Sequence, residues 1–106
     1  MEIENIELTH LTIEDTAEVQ EIMKSVYKKL DDPTWTKEQI KTLIKKFPDG
    51  QVAVRINGKI AGCALAIIID SDKFPGNHTY KRVTGNYTFN SHNNDGDTLY
   101  GIDVFV

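Results

Sequence analysis

Apolar positions recur along this chain with two periods, and the switches between them divide it into elements. Ile3, Ile6 and Leu8 lie in a short segment that predicts a first strand. From about Ile13 to Lys29 the period lengthens: Val19, Ile22, Met23 and Val26, followed by Leu30, fall at helical spacing, with Glu18, Glu21, Lys24 and Lys28 elsewhere on the helix. Thr12 is a good N-cap and Asp15 stands at N3 of a box-like cap; Leu11, before the cap, is placed to pack against Thr16 or Ala17. Asp31-Asp32-Pro33 breaks this helix. A second begins at Thr36, with Gln39 completing its capping box. Ile40, Leu43, Ile44 and Phe47 form its apolar face, and Pro48-Asp49-Gly50 ends it.

Beyond Gly50 the period shortens. Gln51 to Ile56 alternates as a strand does, and Asn57-Gly58 is the favoured type I′ hairpin turn, both positions needing positive φ. Lys59 to Asp70 is apolar on both faces, which predicts a central strand covered on both sides. Gly62 within it predicts a bulge or a close backbone approach. Ser71 to Asp97 is long, polar and rich in Asn and Gly, with a short helix or ordered turn expected over Thr79–Thr84. Leu99 to Val106 reads as a last strand. An apolar strand with nothing after it leaves an unprotected edge, so the expectation is the front part of a larger domain, self-associating through that bare strand.

Composition narrows the classes. Of 106 residues 12 are basic and 16 acidic, a net charge of −4, which argues against a general nucleic-acid surface. The basic cluster Lys37, Lys41, Lys45 and Lys46 reads as a solvated helix face. Cys63 is the single cysteine, so no intrachain disulfide forms; its apolar run, Ile60 to Ile69, marks it as a buried small hydrophobe and not a catalytic thiol. That run is too short to span a bilayer. Met1-Glu2-Ile3-Glu4 lacks a signal-peptide pattern, and a cytoplasmic protein is expected.

Strand, two helices, hairpin, long excursion, strand: in this order the chain resembles the N-terminal half of the GNAT acetyltransferases. Val52 to Ala64 looks like the family's hairpin, and Ile102-Asp103-Val104-Phe105-Val106 like its fourth strand. The segments Asn77-His78-Thr79-Tyr80, Thr84-Gly85-Asn86-Tyr87-Thr88-Phe89 and Leu99 to Val106 are more particular. They are similar to the GNAT domain that precedes a carbon–nitrogen hydrolase domain in two-domain bacterial proteins. The resemblance implies an α/β, GNAT-like (acyl-CoA N-acyltransferase) fold: a mainly antiparallel sheet with two N-terminal helices, truncated at the fourth strand. Residues 1–106 would then be the N-terminal part of one domain, its C-terminal acetyl-CoA-binding half absent. One departure bears on activity. The family's pyrophosphate motif, a basic residue and then Gly-x-Gly or Gly-x-Ala opening a helix, does not occur in this sequence, since Gly85, Gly96 and Gly101 are not spaced for it. The chain alone is therefore expected to be inactive.

The same resemblance places the main chain of Val104, Phe105 and Val106 at the acetyl-CoA thioester and pantetheine arm, with their side chains in the core. The family's proton donor has no counterpart that can be named here, so the catalytic residue stays unassigned. Asp103 interrupts an apolar strand. It either recognises or deprotonates the acceptor amine, or simply points outward while Ile102 and Val104 face in. His78, Tyr80, Asn86, Tyr87 and His92 lie in the long loop, where the family places acceptor contacts. Trp35, between the helices, reads as packing or as a wall of the acceptor cleft. His92 with Asp95 and Asp97 matches neither an EF-hand nor a zinc pattern, so no metal is expected. The expected activity of the parent is acetyl transfer from acetyl-CoA to a small-molecule or peptide amine, with no nucleic-acid or membrane partner. The alternative is a small α/β interaction or ligand-sensing module that regulates a catalytic partner.

Overall fold

The computed structural model describes residues 5–26, 35–74 and 79–106. Strand β1 is Ile6–His10; Ile3, also read into the first strand, lies outside the described residues. The first helix has two parts. A 3-10 turn, Ile13–Asp15, leads into α1, Thr16–Val26. The cap accounts for the tight start: the Thr12 backbone N–H donates to Asp15 Oδ2 at 2.8 Å and the Asp15 N–H to the Thr12 carbonyl at 3.0 Å, a three-residue span. Lys29, Leu30 and the Asp31-Asp32-Pro33 break lie outside the described residues. Helix α2, Lys37–Lys46, carries the expected capping box, with Thr36 N–H to Gln39 Oε1 at 2.9 Å and Gln39 N–H to Thr36 Oγ1 at 3.1 Å. No helix among the described residues is long and apolar enough to cross a membrane.

Strands β2 (Val52–Ile56), β3 (Lys59–Ile69) and β4 (Thr98–Phe105) complete a sheet of order β1-β2-β3-β4, antiparallel throughout. Asn57 (φ 52°) and Gly58 (φ 85°) make the hairpin turn, as their sequence demands. Both expectations for Gly62 hold. The pairing slips between Val54/Gly62 and Arg55/Ile60, leaving Ala61 as a bulge. A Cβ on Gly62 would meet Val106 Cγ1 at 2.6 Å and the Phe105 carbonyl oxygen at 3.1 Å.

Cross-strand partners share a face of a sheet. One face presents Ala53, Cys63, Leu65, Ile67 and Phe105, which pack against Val19 and Met23 of α1 and Ile40, Leu43 and Ile44 of α2. The helix-facing side is pinned by charge as well: Arg55 Nη2 meets Asp15 Oδ1 at 2.9 Å, and Glu18 Oε2 accepts from Ile60 N–H at 3.0 Å. The other face differs from expectation. Leu8, Val54, Leu99 and Val104 stand exposed on it, with no layer over them among the described residues. On that face β3 itself presents the small, buried Gly62 and Ala66 and the half-buried Ala64 and Ile68.

Strand β3 outruns β2, and three other groups serve its uncovered edge. The amide of Gln51, fully buried, accepts from Ala66 N–H at 2.9 Å and donates to the Ala66 carbonyl at 2.6 Å, standing where a neighbouring strand would be. Next along, Ile68 N–H donates to His92 Nδ1 (3.0 Å), and the Ile68 carbonyl accepts from Asn93 N–H (2.8 Å). Ile69, one residue further, presents its carbonyl to the opposite side, where Asp97 N–H reaches it at 3.1 Å. Residues 93–97 thus pass round the end of β3, with Gly96 against the Ile69 carbonyl.

Candidate functional site

The excursion between β3 and β4 is ordered by side-chain bonds to its own backbone. Thr79 caps the short helix α3, Tyr80–Val83, accepting from Arg82 N–H at 3.1 Å. Thr84, fully buried, donates to the Lys81 carbonyl (3.1 Å) and accepts from Tyr87 N–H (3.2 Å). Ser91 Oγ donates to the Val83 carbonyl. The turn this builds holds Asn86 (φ 59°), Tyr87 (φ 66°) and Phe89 (φ 62°) in the left-handed region. For non-glycine residues that costs on the order of 1–3 kcal/mol each, and it persists only where the surroundings over-determine it.

The strained turn delivers aromatic rings to one place. Phe89 is fully buried against Trp35, with centroids 5.3 Å apart. Trp35 also meets Tyr80 (6.1 Å, 68°) and Tyr87 (5.7 Å, 67°), and those two meet each other (6.3 Å, 64°). Tyr80 lies near-parallel to Tyr100 of β4 at 6.3 Å. Trp35 is itself tied to α1, its carbonyl accepting from Gln20 Nε2 (3.3 Å) and its N–H pointing at Met23 Sδ (3.2 Å).

Beneath the cluster β4 bulges. Leu65 pairs with Asp103 but Ala66 with Gly101, so Ile102 is extra. Tyr80 Oη donates to its carbonyl at 2.5 Å. The extra residue reverses the alternation of the strand: Tyr100 (opposite Ile67), Asp103 (opposite Leu65) and Phe105 (opposite Cys63) all lie on the helix-covered face. Asp103 therefore does not point outward with Val104 facing in. Ile102 is buried, Asp103 half-buried beside the aromatic cluster's strand, and Val104 73% exposed. The expectation that all three cofactor-side residues bury their side chains is corrected likewise: Phe105 is core, whereas Val104 and Val106 project from the opposite face.

The structure thus brings Tyr80 and Tyr87 together with Trp35, and the Tyr80 hydroxyl to the residue that precedes Asp103. Asn86 is exposed in the turn before Tyr87, its N–H donating to the Lys81 carbonyl at 2.8 Å. His78 lies outside the described residues. His92 belongs elsewhere, stacked on Phe47 at 4.8 Å and committed to β3. Asp97 accepts from Ser71 N–H (2.9 Å) and Ser71 Oγ (2.7 Å), bonds that hold its carboxyl below the usual range. No group of three metal-ligating side chains occurs among the described residues. Burial pushes the Cys63 thiol up to about 11, against the opposing pull of Arg55, so it is no nucleophile at neutral pH. Sequence reasoning missed Tyr100 and the Ile102 carbonyl. The available signal was parity, since Tyr100 and Phe105, an odd distance apart, are both large aromatics in one strand.

No family model matches the chain. Over 72 residues it is 35% identical to YkwB, an uncharacterised N-acetyltransferase of Bacillus subtilis (strain 168), and 32% identical to YhcX, a probable hydrolase of the same organism. The matched segment covers 68% of this chain but 32% of the first relative and 14% of the second. Among solved structures, the loading GNATL domain of CurA from Lyngbya majuscula superposes over 95% of this chain and 47% of its own (TM-score 0.77, 23% identity). The GphF GNAT-like decarboxylase in complex with isobutyryl-CoA superposes over 92% and 47% (TM-score 0.76, 13% identity). The chain is similar in sequence to an N-acetyltransferase, and its fold is GNAT-like.

Proposed function

We propose that this chain, with its GNAT-like fold, is the acceptor-side part of a domain that transfers an acyl group, acetyl in the simplest case, from an acyl-CoA to an amine. The single observation that carries the reading is the bulged β4 strand with Asp103 and the aromatic cluster on its helix-covered face. An acyl-CoA, when bound, supplies an acyl group activated as a thioester. The chain fits its acyl and pantetheine end: β4 borders the sheet among the described residues, and Gly101 has open space where a Cβ would stand. The N–H and C=O groups of such an edge can hold amides and polarise a carbonyl. The pyrophosphate end has no matching motif in this sequence.

On this reading the chain's own residues do three things. The main chain at Val104, Phe105 and Val106 orients the acyl carbonyl. Tyr80 fixes the bulge from which that stretch runs. Asp103 takes the acceptor's ammonium as a hydrogen-bond partner and accepts its proton, because attack on a thioester requires the nitrogen lone pair to be free. The whole protein is further proposed to join this domain to a hydrolase domain, a reading supported by the likeness to YhcX.

The test is thiol release from acetyl-CoA in the presence of a panel of primary amines. It is run on the 106-residue chain and on the product of its whole reading frame. The expected result is turnover by the latter and none by the former. A whole-frame product that neither turns over nor binds acyl-CoA overturns the reading and leaves the interaction or sensing module in its place.

A further inference from the structure

Three of the clustered rings form a corner whose ring planes are all mutually inclined: Trp35, Tyr80 and Tyr87 pair at 64–68° with centroids 5.7–6.3 Å apart. A core cluster would bury such rings. Here Tyr80 and Tyr87 each keep 38% of their surface in solvent, while Phe89, behind them, keeps none. The protein also holds Tyr87 in the left-handed region immediately after another left-handed residue, Asn86. Tyr87 thus joins a left-handed backbone to a ring that packs on Trp35 and Tyr80 yet keeps more than a third of its surface in solvent.

We propose that the Trp35–Tyr80–Tyr87 corner is a binding site for an alkylammonium group. The faces of aromatic rings are the negative end of their quadrupole, and inclined faces meeting at a corner reinforce one another on a cation. Tyr80 is fixed from below by its bond to the Ile102 carbonyl and Tyr87 by the bond from its N–H to Thr84 Oγ1, so the corner is pre-organised. Asp103 lies on the same face of the sheet as Tyr100, the stacking partner of Tyr80, and the chain as a whole is acidic. Lys81 and Arg82 follow Tyr80, but on a helix each step turns roughly 100°, so they leave from other sides of α3.

The chemistry then restricts the acceptor, a step that rests on the acyl-transfer reading above. A cation held on ring faces stays charged, whereas the attacking nitrogen must be neutral. The group in the corner is therefore not the reacting nitrogen, and the acceptor carries a second ammonium or a quaternary nitrogen.

Trp35 is the single tryptophan of the chain, so its fluorescence reports the corner directly. The experiment titrates the 106-residue chain with tetramethylammonium chloride, and in parallel with sodium chloride at equal ionic strength and with tert-butanol as a neutral group of similar shape. Saturable change is expected with tetramethylammonium alone, at least about tenfold tighter than with tert-butanol. Tyr87→Phe, which keeps the ring face, should bind as the unaltered chain does; Tyr87→Leu should bind several-fold more weakly, both titrated well below their unfolding midpoints. Equal response to tert-butanol, no saturation, or equal binding by both variants would overturn the proposal. Because no acyl-CoA is present, such a failure leaves the acyl-transfer reading standing. A whole-frame product inert towards acyl-CoA, with tetramethylammonium binding intact, removes only that reading.

Discussion

The hydroxyl of Tyr80 donates to the main-chain carbonyl of Ile102 across 2.5 Å, joining the excursion between β3 and β4 to the one residue of β4 that lies outside the regular pairing. A bulge leaves backbone groups without a strand partner, and here a loop side chain takes one of them. Loop and bulge are in this way a single unit, and whatever the bulge aims, Asp103 included, depends on a ring twenty-two residues upstream.

Tyr80→Phe removes that bond while keeping the ring. The expected loss is about 1 kcal/mol of stability, as for a hydrogen bond whose acceptor is left under-satisfied. Faster amide hydrogen exchange confined to the Gly101–Asp103 stretch should accompany it. Exchange unchanged there would show that the bulge holds itself.

Gly62→Val places branched carbon where Val106 Cγ1 and the Phe105 carbonyl already sit at 2.6 and 3.1 Å from a Cβ. Overpacking of this kind costs about 1–3 kcal/mol. The thermal midpoint should fall, and Gly62→Ala should fall less, since the end of the Val106 side chain can give way. Equal stability of all three proteins would mean that β3 and β4 do not approach as closely as described.

How much of this was legible in sequence follows the range of each interaction. Both helix caps, the Asn57-Gly58 turn and the Thr79-capped α3 were readable because each is settled within about four residues. The exposed Leu8–Val54–Val104 face was not. Apolar alternation in β1 and β2 reads alike whether a layer covers that side or not. The Ile102 bulge and the gathering of Trp35, Tyr80, Tyr87 and Tyr100 depend on pairing register across tens of residues, which local pattern does not encode. Gln51 was read as the first residue of a strand, and its role as a strand substitute became visible only with Ala66 beside it.

Gln51→Leu tests that role. Its size fits the fully buried site, but the Ala66 N–H and carbonyl lose their partners. With roughly 1–3 kcal/mol for each buried group left unsatisfied, a loss of about 3 kcal/mol is expected in urea denaturation. A loss below about 1 kcal/mol would mean that water serves Ala66 equally well.

Asp15 predicts the acid limb of stability. Burial raises its pKa, but the Thr12 N–H and the Arg55 guanidinium outweigh this and leave it below the ordinary 3.8. A carboxyl depressed by folding stabilises the native state above its unfolded pKa, and that contribution fades as pH falls through the folded value. Between pH 6 and pH 3 the urea midpoint should therefore drop more steeply for the unaltered chain than for Asp15→Asn, and parallel slopes would deny the pair any contribution.

Cys63 should resist a thiol reagent such as dithionitrobenzoate at pH 8 in the folded protein and react in full once unfolded, because its sulfur is both buried and held at about 11. Prompt labelling of native protein would contradict both properties together.

The path of residues 93–97 round the tip of β3 has a mechanical meaning. Strand ends ordinarily fray one residue at a time, the outermost bonds opening first. Here Ile68 is gripped from one side by His92 and Asn93, and Ile69 from the other by Asp97, before the same chain descends into β4. The tip of β3 sits in a collar. Peeling it requires the collar to lift, and lifting the collar pulls on the start of β4, so the end of the longest strand that runs beyond β2 opens only as a whole.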